Sequence, residues 1–175
     1  MSTVDLASRI RDIPDFPKPG ILYKDITPLL LDHVAVRFAV GRLADWARPR
    51  DVDYVVAAEA RGFILGAALA LELDAGFVPA RKPGKLPSET ISAEYILEYG
   101  VDALEMHADA LADGARVLIH DDLLATGGTA RALAELVAEL GGSVVGFAFL
   151  VELGFLEGRR RLEGFDVCAL IPYDD

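Results

Sequence analysis

The chain has 175 residues, with 28 Asp or Glu against 17 Lys or Arg, and so carries a formal charge of −11. That length suits one compact domain with a sizeable core, and 53% hydrophobic residues exclude wholesale disorder. The acidic balance excludes a protein that coats nucleic acid or an anionic membrane by bulk charge, so any phosphate handled here must meet a few basic groups gathered locally. Cys168 is the only cysteine, which rules out a disulfide framework and a cysteine-rich zinc site. Asp5, Arg9, Arg11 and Asp12 interrupt the first apolar residues, so no secretory leader is expected. The apolar runs 63–71 and 143–151 are too short to span a bilayer. A reduced, soluble, cytoplasmic protein without nucleic-acid or membrane partners is the expectation.

Leu6, Ile10 and Ile13 recur at helical spacing until Pro14, which predicts a short N-terminal helix. Pro14, Pro17, Pro19 and Gly20 make the next stretch an extended loop. Asp32 caps a helix that carries Val36, Val40 and Leu43 on one stripe and ends before Pro49. A buried strand at 54–58 precedes a helix at 62–73, apolar on nearly every side as for a helix under a sheet. A second buried strand, 76–81, is cut off by Pro83. Segments 95–99 and 104–106, either side of Gly100, read as a hairpin projecting from the main sheet. Strands at 116–120, 144–151 and 167–171 then alternate with helices at 129–140 and 156–162. Such alternation implies an α/β fold, doubly wound, with a mostly parallel sheet flanked by helices. No repeat or second domain is visible, so 1–175 is taken as one domain.

The most restrictive segment is 116–129, Arg-Val-Leu-Ile-His-Asp-Asp-Leu-Leu-Ala-Thr-Gly-Gly-Thr. A buried strand ends in Asp121 and Asp122, and a turn of small residues then opens a helix. Helix N-termini present unpaired N–H groups and a positive dipole end. Gly127 and Gly128 let backbone approach a ligand, while Thr126 and Thr129 add hydroxyls. With Ala125 they form a nest for a phosphate dianion that needs no lysine. The two acids suit sugar hydroxyls or a metal-bound sugar. A Walker loop is excluded because Gly128 is followed by Thr129, and no G-x-G-x-x-G follows a strand.

This segment resembles the signature of the type I phosphoribosyltransferases, which bind phosphoribosyl pyrophosphate (PRPP). Four further stretches, 16–27, 59–63, 81–87 and 97–100, narrow the resemblance to the adenine phosphoribosyltransferases, in order and over nearly the whole chain. The resemblance implies transfer of the 5-phosphoribosyl group from PRPP to adenine, giving AMP and pyrophosphate in purine salvage. It implies a small N-terminal hood, about residues 1–32, over the strand ends. It also implies a homodimer, and magnesium carried in with PRPP rather than held in a dedicated site.

Under that resemblance Ala125, Thr126, Gly127, Gly128 and Thr129 cradle the 5′-phosphate, and Asp121 and Asp122 hold the ribose hydroxyls. Ala60 and Arg61 belong to the pyrophosphate loop, where a cis non-proline peptide often occurs, and Arg81, Lys82 and Lys85 supply mobile positive charge. Glu98, against the purine N7 edge, handles the proton, and Arg61 joins it as the second catalytic candidate. Leu22 and Tyr23 contact adenine, with Arg61 bordering that pocket; Lys24 stands where many relatives carry arginine. Residues 83–106 resemble a closing loop that shields the site from water. His120 reads as a strand-end histidine, and the Arg159–Arg161 run as a solvated helix face. Two alternatives stay open: an enzyme for another purine base, and a non-catalytic PRPP-sensing regulator.

Overall fold

The computed structural model describes residues 4–97 and 100–174. Chain order gives β1 (Arg11–Pro14), β2 (Leu22–Asp25), α1 (Thr27–Leu31), α2 (His33–Ala47), β3 (Tyr54–Ala58), α3 (Gly62–Glu72) and β4 (Gly76–Ala80). Then come β5 (Thr90–Leu97), β6 (Gly100–His107), β7 (Arg116–Leu124), α4 (Gly128–Glu139), β8 (Ser143–Leu153) and β9 (Val167–Tyr173). The central sheet has the order β4-β3-β7-β8-β9, and every pairing in it is parallel. Parallel strands lie between two layers, which is why they read as unbroken apolar runs.

Side chains of these strands alternate between two cores. Val117, Ile119, Phe147 and Phe149 face α4, where Leu133, Leu136 and Val137 meet them. Leu118 and Ala148 face the other way, toward Leu43 of α2 and Leu69 of α3. The sheet is thus covered on both faces, the doubly wound arrangement anticipated from the pattern. α2 begins where the sequence places it, because the Asp32 carboxylate accepts hydrogen bonds from the N–H groups of Val34 and Ala35.

Three readings need correction. Leu6, Ile10 and Ile13 do not form a helix: only a 3₁₀ turn, Ala7–Arg9, precedes β1, which pairs antiparallel with β2. Three apolar residues cannot offset the cost of nucleating an isolated helix, and cross-strand bonding such as Arg11 to Asp25 at 2.6 Å stabilises the ribbon instead. Residues 156–162 form two 3₁₀ turns, Gly154–Leu156 and Gly158–Leu162, divided at Glu157, whose φ is +53°. Nor does β7 stop at the acid pair; it runs on to Leu124, so both acids sit inside a strand paired with β8. The projecting hairpin is present as β5 and β6, an antiparallel pair packed over α4 with Ala93, Leu104 and Met106 buried beneath it. No helix among the described residues is long and apolar enough to cross a membrane.

Candidate active site

The strand order decides where a ligand can sit. From β3 the chain winds one way to β4, and from β7 it winds the other way to β8 and β9. Helices on opposite faces therefore part at the carboxyl ends of β3 and β7, and open α/β sheets bind ligands in that crevice. Residues 59–61, after β3, and 121–129, from the end of β7 into α4, face each other across it.

Gly62 brings the two sides together. A β-carbon there would lie 2.8 Å from Asp121 Oδ1, so only glycine lets the start of α3 approach this carboxylate so closely. Asp121 Oδ1 also accepts from the Asp122 N–H at 2.9 Å. Asp122 is 3% exposed. Its Oδ2 lies 3.1 Å from Arg61 Nε but has no aligned hydrogen bond, leaving it a buried acceptor without a donor. Burial pushes the Asp122 carboxyl above the usual range, against the Arg61 charge that lowers it. Asp121 is pushed up further, by burial and then by its charged neighbour. An acid pair of which Asp122 is buried and has an unpartnered oxygen can accept hydroxyl donors from a ligand.

Ahead of α4 the chain turns at Gly127, whose φ of +81° is left-handed. A β-carbon at Gly127 would also meet the Gly158 carbonyl at 2.5 Å, so sterics and φ both demand glycine. No side chain caps α4 and no acid occupies its first turn, so the leading N–H groups are left for an anion. Ala125, Thr126, Gly127, Gly128 and Thr129 line one cavity of about 110 Å³. A second cavity of about 180 Å³ is lined by Ala60, Arg61, Lys82, Asp121, Asp122 and Thr129, together with Glu59 and Tyr95. The two share Asp121 and Thr129, so the cavities adjoin, the acid pair standing between the Gly127 turn and the Arg61–Lys82 side.

The basic cluster is held in place by acids. Arg81 Nε donates to Glu59 Oε2 at 2.9 Å, and Glu59 also accepts from the Lys82 N–H at 3.0 Å. Lys82 Nζ lies 3.0 Å from Asp102 Oδ2. The Lys85 side chain is exposed, and Lys85 meets the cluster through its carbonyl, which accepts from Arg81 Nη1 at 3.3 Å. The Glu59–Ala60 peptide is cis, as the sequence likeness implies, and Phe16–Pro17 is also cis.

Of the base-pocket candidates, Tyr23 and Arg61 meet: the guanidinium lies 5.2 Å from the ring centroid, and Phe16 packs edge-on to the same ring at 5.0 Å. Leu22 faces the other side of β2 and is half-exposed. Lys24 does not join them; it is buried, 2.7 Å from Asp12 Oδ1 and 3.9 Å above the Tyr173 ring, fastening the β1–β2 ribbon to β9. Glu98 and Tyr99 lie outside the described residues. Sequence reasoning gave no role to Glu59, although it opens the matched stretch 59–63, and missed Tyr95, Asp102 and Gly158, which sit in no recognisable local pattern. The Arg159–Arg161 run is exposed as read, on a 3₁₀ turn rather than a helix, and Arg159 in addition binds Glu152 with two bonds, 2.6 and 2.7 Å, and donates to the Val167 carbonyl.

A family model described as a phosphoribosyl transferase domain matches residues 29–164. Adenine phosphoribosyltransferase of Rubrobacter xylanophilus is 58% identical, covering 97% of this chain and 92% of that one. The crystal structure of adenine phosphoribosyltransferase from Thermoanaerobacter pseudethanolicus superposes with a TM-score of 0.94 at 55% identity, covering 96% and 98% of the two chains. The Saccharomyces cerevisiae enzyme, solved with adenine and an imino-altritol bisphosphate, gives 0.89 at 39% identity, covering 95% and 96%. The chain belongs to the phosphoribosyltransferase family, and within it to the adenine phosphoribosyltransferases.

Proposed function

We infer that this chain transfers the 5-phosphoribosyl group of PRPP to adenine, releasing pyrophosphate and forming AMP. The observation that carries the reading is one juxtaposition: a bare helix N-terminus on a left-handed glycine turn, beside an acid pair whose buried member, Asp122, is faced by arginine. The 5′-phosphate accepts from the α4 N–H groups and the Thr126 and Thr129 hydroxyls. The ribose hydroxyls donate to Asp121 and Asp122, which supplies the donor that Asp122 Oδ2 lacks. The pyrophosphate then points to Ala60, Arg61, Arg81 and Lys82, with Lys85 at the edge, where positive charge meets the negative charge that develops as the bond to C1′ breaks. Tyr23 stacks on adenine, with Leu22 and Arg61 at its border, so N9 is held in line with C1′. Glu98 exchanges the proton on the N7 side as N9 becomes nucleophilic.

Magnesium would enter with PRPP, next to Asp121 and Asp122, and would supply positive charge that offsets the pyrophosphate's. The acid pair fits such a substrate, since a magnesium-borne water or a hydroxyl equally serves the open Asp122 oxygen. Among the described residues no group of three or more His, Cys, Asp or Glu side chains could hold a metal. The β1–β2 ribbon, within about residues 1–32, serves as the hood of a single domain spanning 1–175. A cytoplasmic homodimer completes the reading, and the exposed apolar stripe of α3, with Ile64 48% and Leu71 80% exposed, supports it. Purified protein given magnesium, PRPP and each purine base in turn should form AMP and pyrophosphate with adenine alone. Turnover of hypoxanthine or guanine instead, or PRPP binding without turnover, would overturn the assignment.

A further inference from the structure

We propose that Asp102 is a positioning residue that competes internally with pyrophosphate for Lys82, holding the lysine at the pocket and easing release of the leaving group. This rests on the pyrophosphate role given to Lys82 above. Lys82 lines the same cavity as Arg61, Asp121 and Asp122, and its Nζ lies 3.0 Å from Asp102 Oδ2. Asp102 belongs to β6 of the hairpin and is anchored without the lysine: Oδ1 accepts from the Ala103 N–H at 2.9 Å and Oδ2 from the Tyr95 hydroxyl at 3.2 Å. Exposure separates the partners, 22% for Asp102 against 55% for Lys82. The acid is therefore the fixed half of the pair and the long lysine the movable half. Fixed by those two bonds, Asp102 sets where the Lys82 ammonium rests and what must be displaced to reach it.

Any anion that takes Lys82 must first break this pair. Its affinity falls by the worth of the pair, and its departure is assisted by the carboxylate waiting for the lysine. Partly exposed pairs change binding by about two- to fivefold, and salt weakens them. Asp102→Asn removes the charge, keeps an oxygen for Tyr95 and leaves Lys82 uncommitted. The test measures inhibition of AMP formation by magnesium pyrophosphate, competing with PRPP, in wild type and Asp102→Asn. Pyrophosphate should inhibit the variant about two- to fivefold more tightly at low salt, with the gap closing above about 0.5 M salt and the KM for adenine unmoved. A merely structural role predicts the opposite sign, since a damaged pocket binds more weakly. In a Lys82→Met background, Asp102→Asn should bring no tightening at all. Unchanged or weaker inhibition in the single variant, or tightening that survives Lys82→Met, overturns the proposal. Wild-type protein that pyrophosphate does not inhibit would instead overturn the underlying assignment of the pocket.

Discussion

His120 sits one residue before the acid pair with its ring wholly buried, and it offers a quantitative test of the interior beneath the site. Nδ1 lies 2.8 Å from the Ala148 carbonyl, which can only accept, so Nδ1 carries the proton and Nε2 is left as a buried acceptor without a partner. The ring packs where α3 comes closest: a β-carbon on Gly66 would be 3.4 Å from its Cδ2. Charging such a ring means placing a cation in an apolar layer, and burial holds its pKa down to about 4 against an ordinary 6.5. The unfolded chain binds this proton more readily than the folded one between those values. Stability is then intact above pH 6.5 and is lost as pH falls toward 4, by about 3 kcal/mol in all at about 1.4 kcal/mol per pKa unit. Asp121 works the other way in the same window, because its raised pKa makes the folded chain the better proton binder and stabilises it on acidification. The wild-type slope alone is therefore ambiguous, and the comparison with His120→Asn is what isolates the histidine. Asparagine keeps a donor for Ala148 and has no titration; its smaller volume costs a constant amount, on the order of 1 kcal/mol. Urea unfolding followed by circular dichroism from pH 4 to 7.5 should give curves that converge or cross on acidification, wild type losing about 3 kcal/mol more than the variant. Parallel curves would refute the buried neutral imidazole.

Gly127→Ala places a β-carbon against the Gly158 carbonyl at a left-handed φ, so PRPP saturation should weaken at least about tenfold while the KM for adenine moves little; steady-state kinetics with each substrate varied checks the split. Asp122→Ala, removing the buried acceptor opposite Arg61, should likewise weaken PRPP binding, and unaltered affinity by calorimetry would count against the ribose role. Glu98→Gln should lower turnover roughly 10²-fold or more while sparing PRPP binding, as single-turnover measurements will show. Lys24→Ala should cost about 1–3 kcal/mol of stability through lost packing and the lost Asp12 pair, read as a lower midpoint in urea, with turnover per folded molecule kept.

What was legible in the sequence divides by the range of the interaction. β3 carries the bounds expected of it, 54–58, because a doubly covered strand needs apolar residues at every position and shows them as a run. The turn at Gly127 ahead of α4 was visible for a similar reason: its glycines, threonines and acids are neighbours in the chain, so local geometry and local composition coincide. The pairs that hold the basic cluster were not visible. Arg81 meets Glu59 across 22 residues, and Lys82 meets an acid on the β5–β6 hairpin, so nothing near either cation announces its partner. The three consecutive arginines are exposed as their pattern suggests, but nothing near Arg159 announces its partner Glu152, a buried acid at the end of β8. The N-terminal helix failed differently. Three apolar residues fit a helical period, but they equally fit a turn and a strand once β2 supplies a partner, and Leu6 reaches the core either way.

A chain with a formal charge of −11 must still admit a polyanion, and the distribution of charge in the crevice explains how. Charge more than about 8 Å away is largely screened at physiological salt, so the acidic surface matters little to a group already inside the crevice. Within that distance the 5′-phosphate end relies on backbone N–H groups, which attract an anion and need no counter-ion when it is absent. On the proposed reading negative charge grows at the other end, where three of the cations are matched with a carboxylate: Arg61 with Asp122, Arg81 with Glu59, Lys82 with Asp102. Bare lysines and arginines in that position would hold the released pyrophosphate as firmly as they stabilise its departure. Paired ones have another partner to return to, so on the proposed reading the acids that make the chain look unsuited to phosphate would be the groups that let the product go.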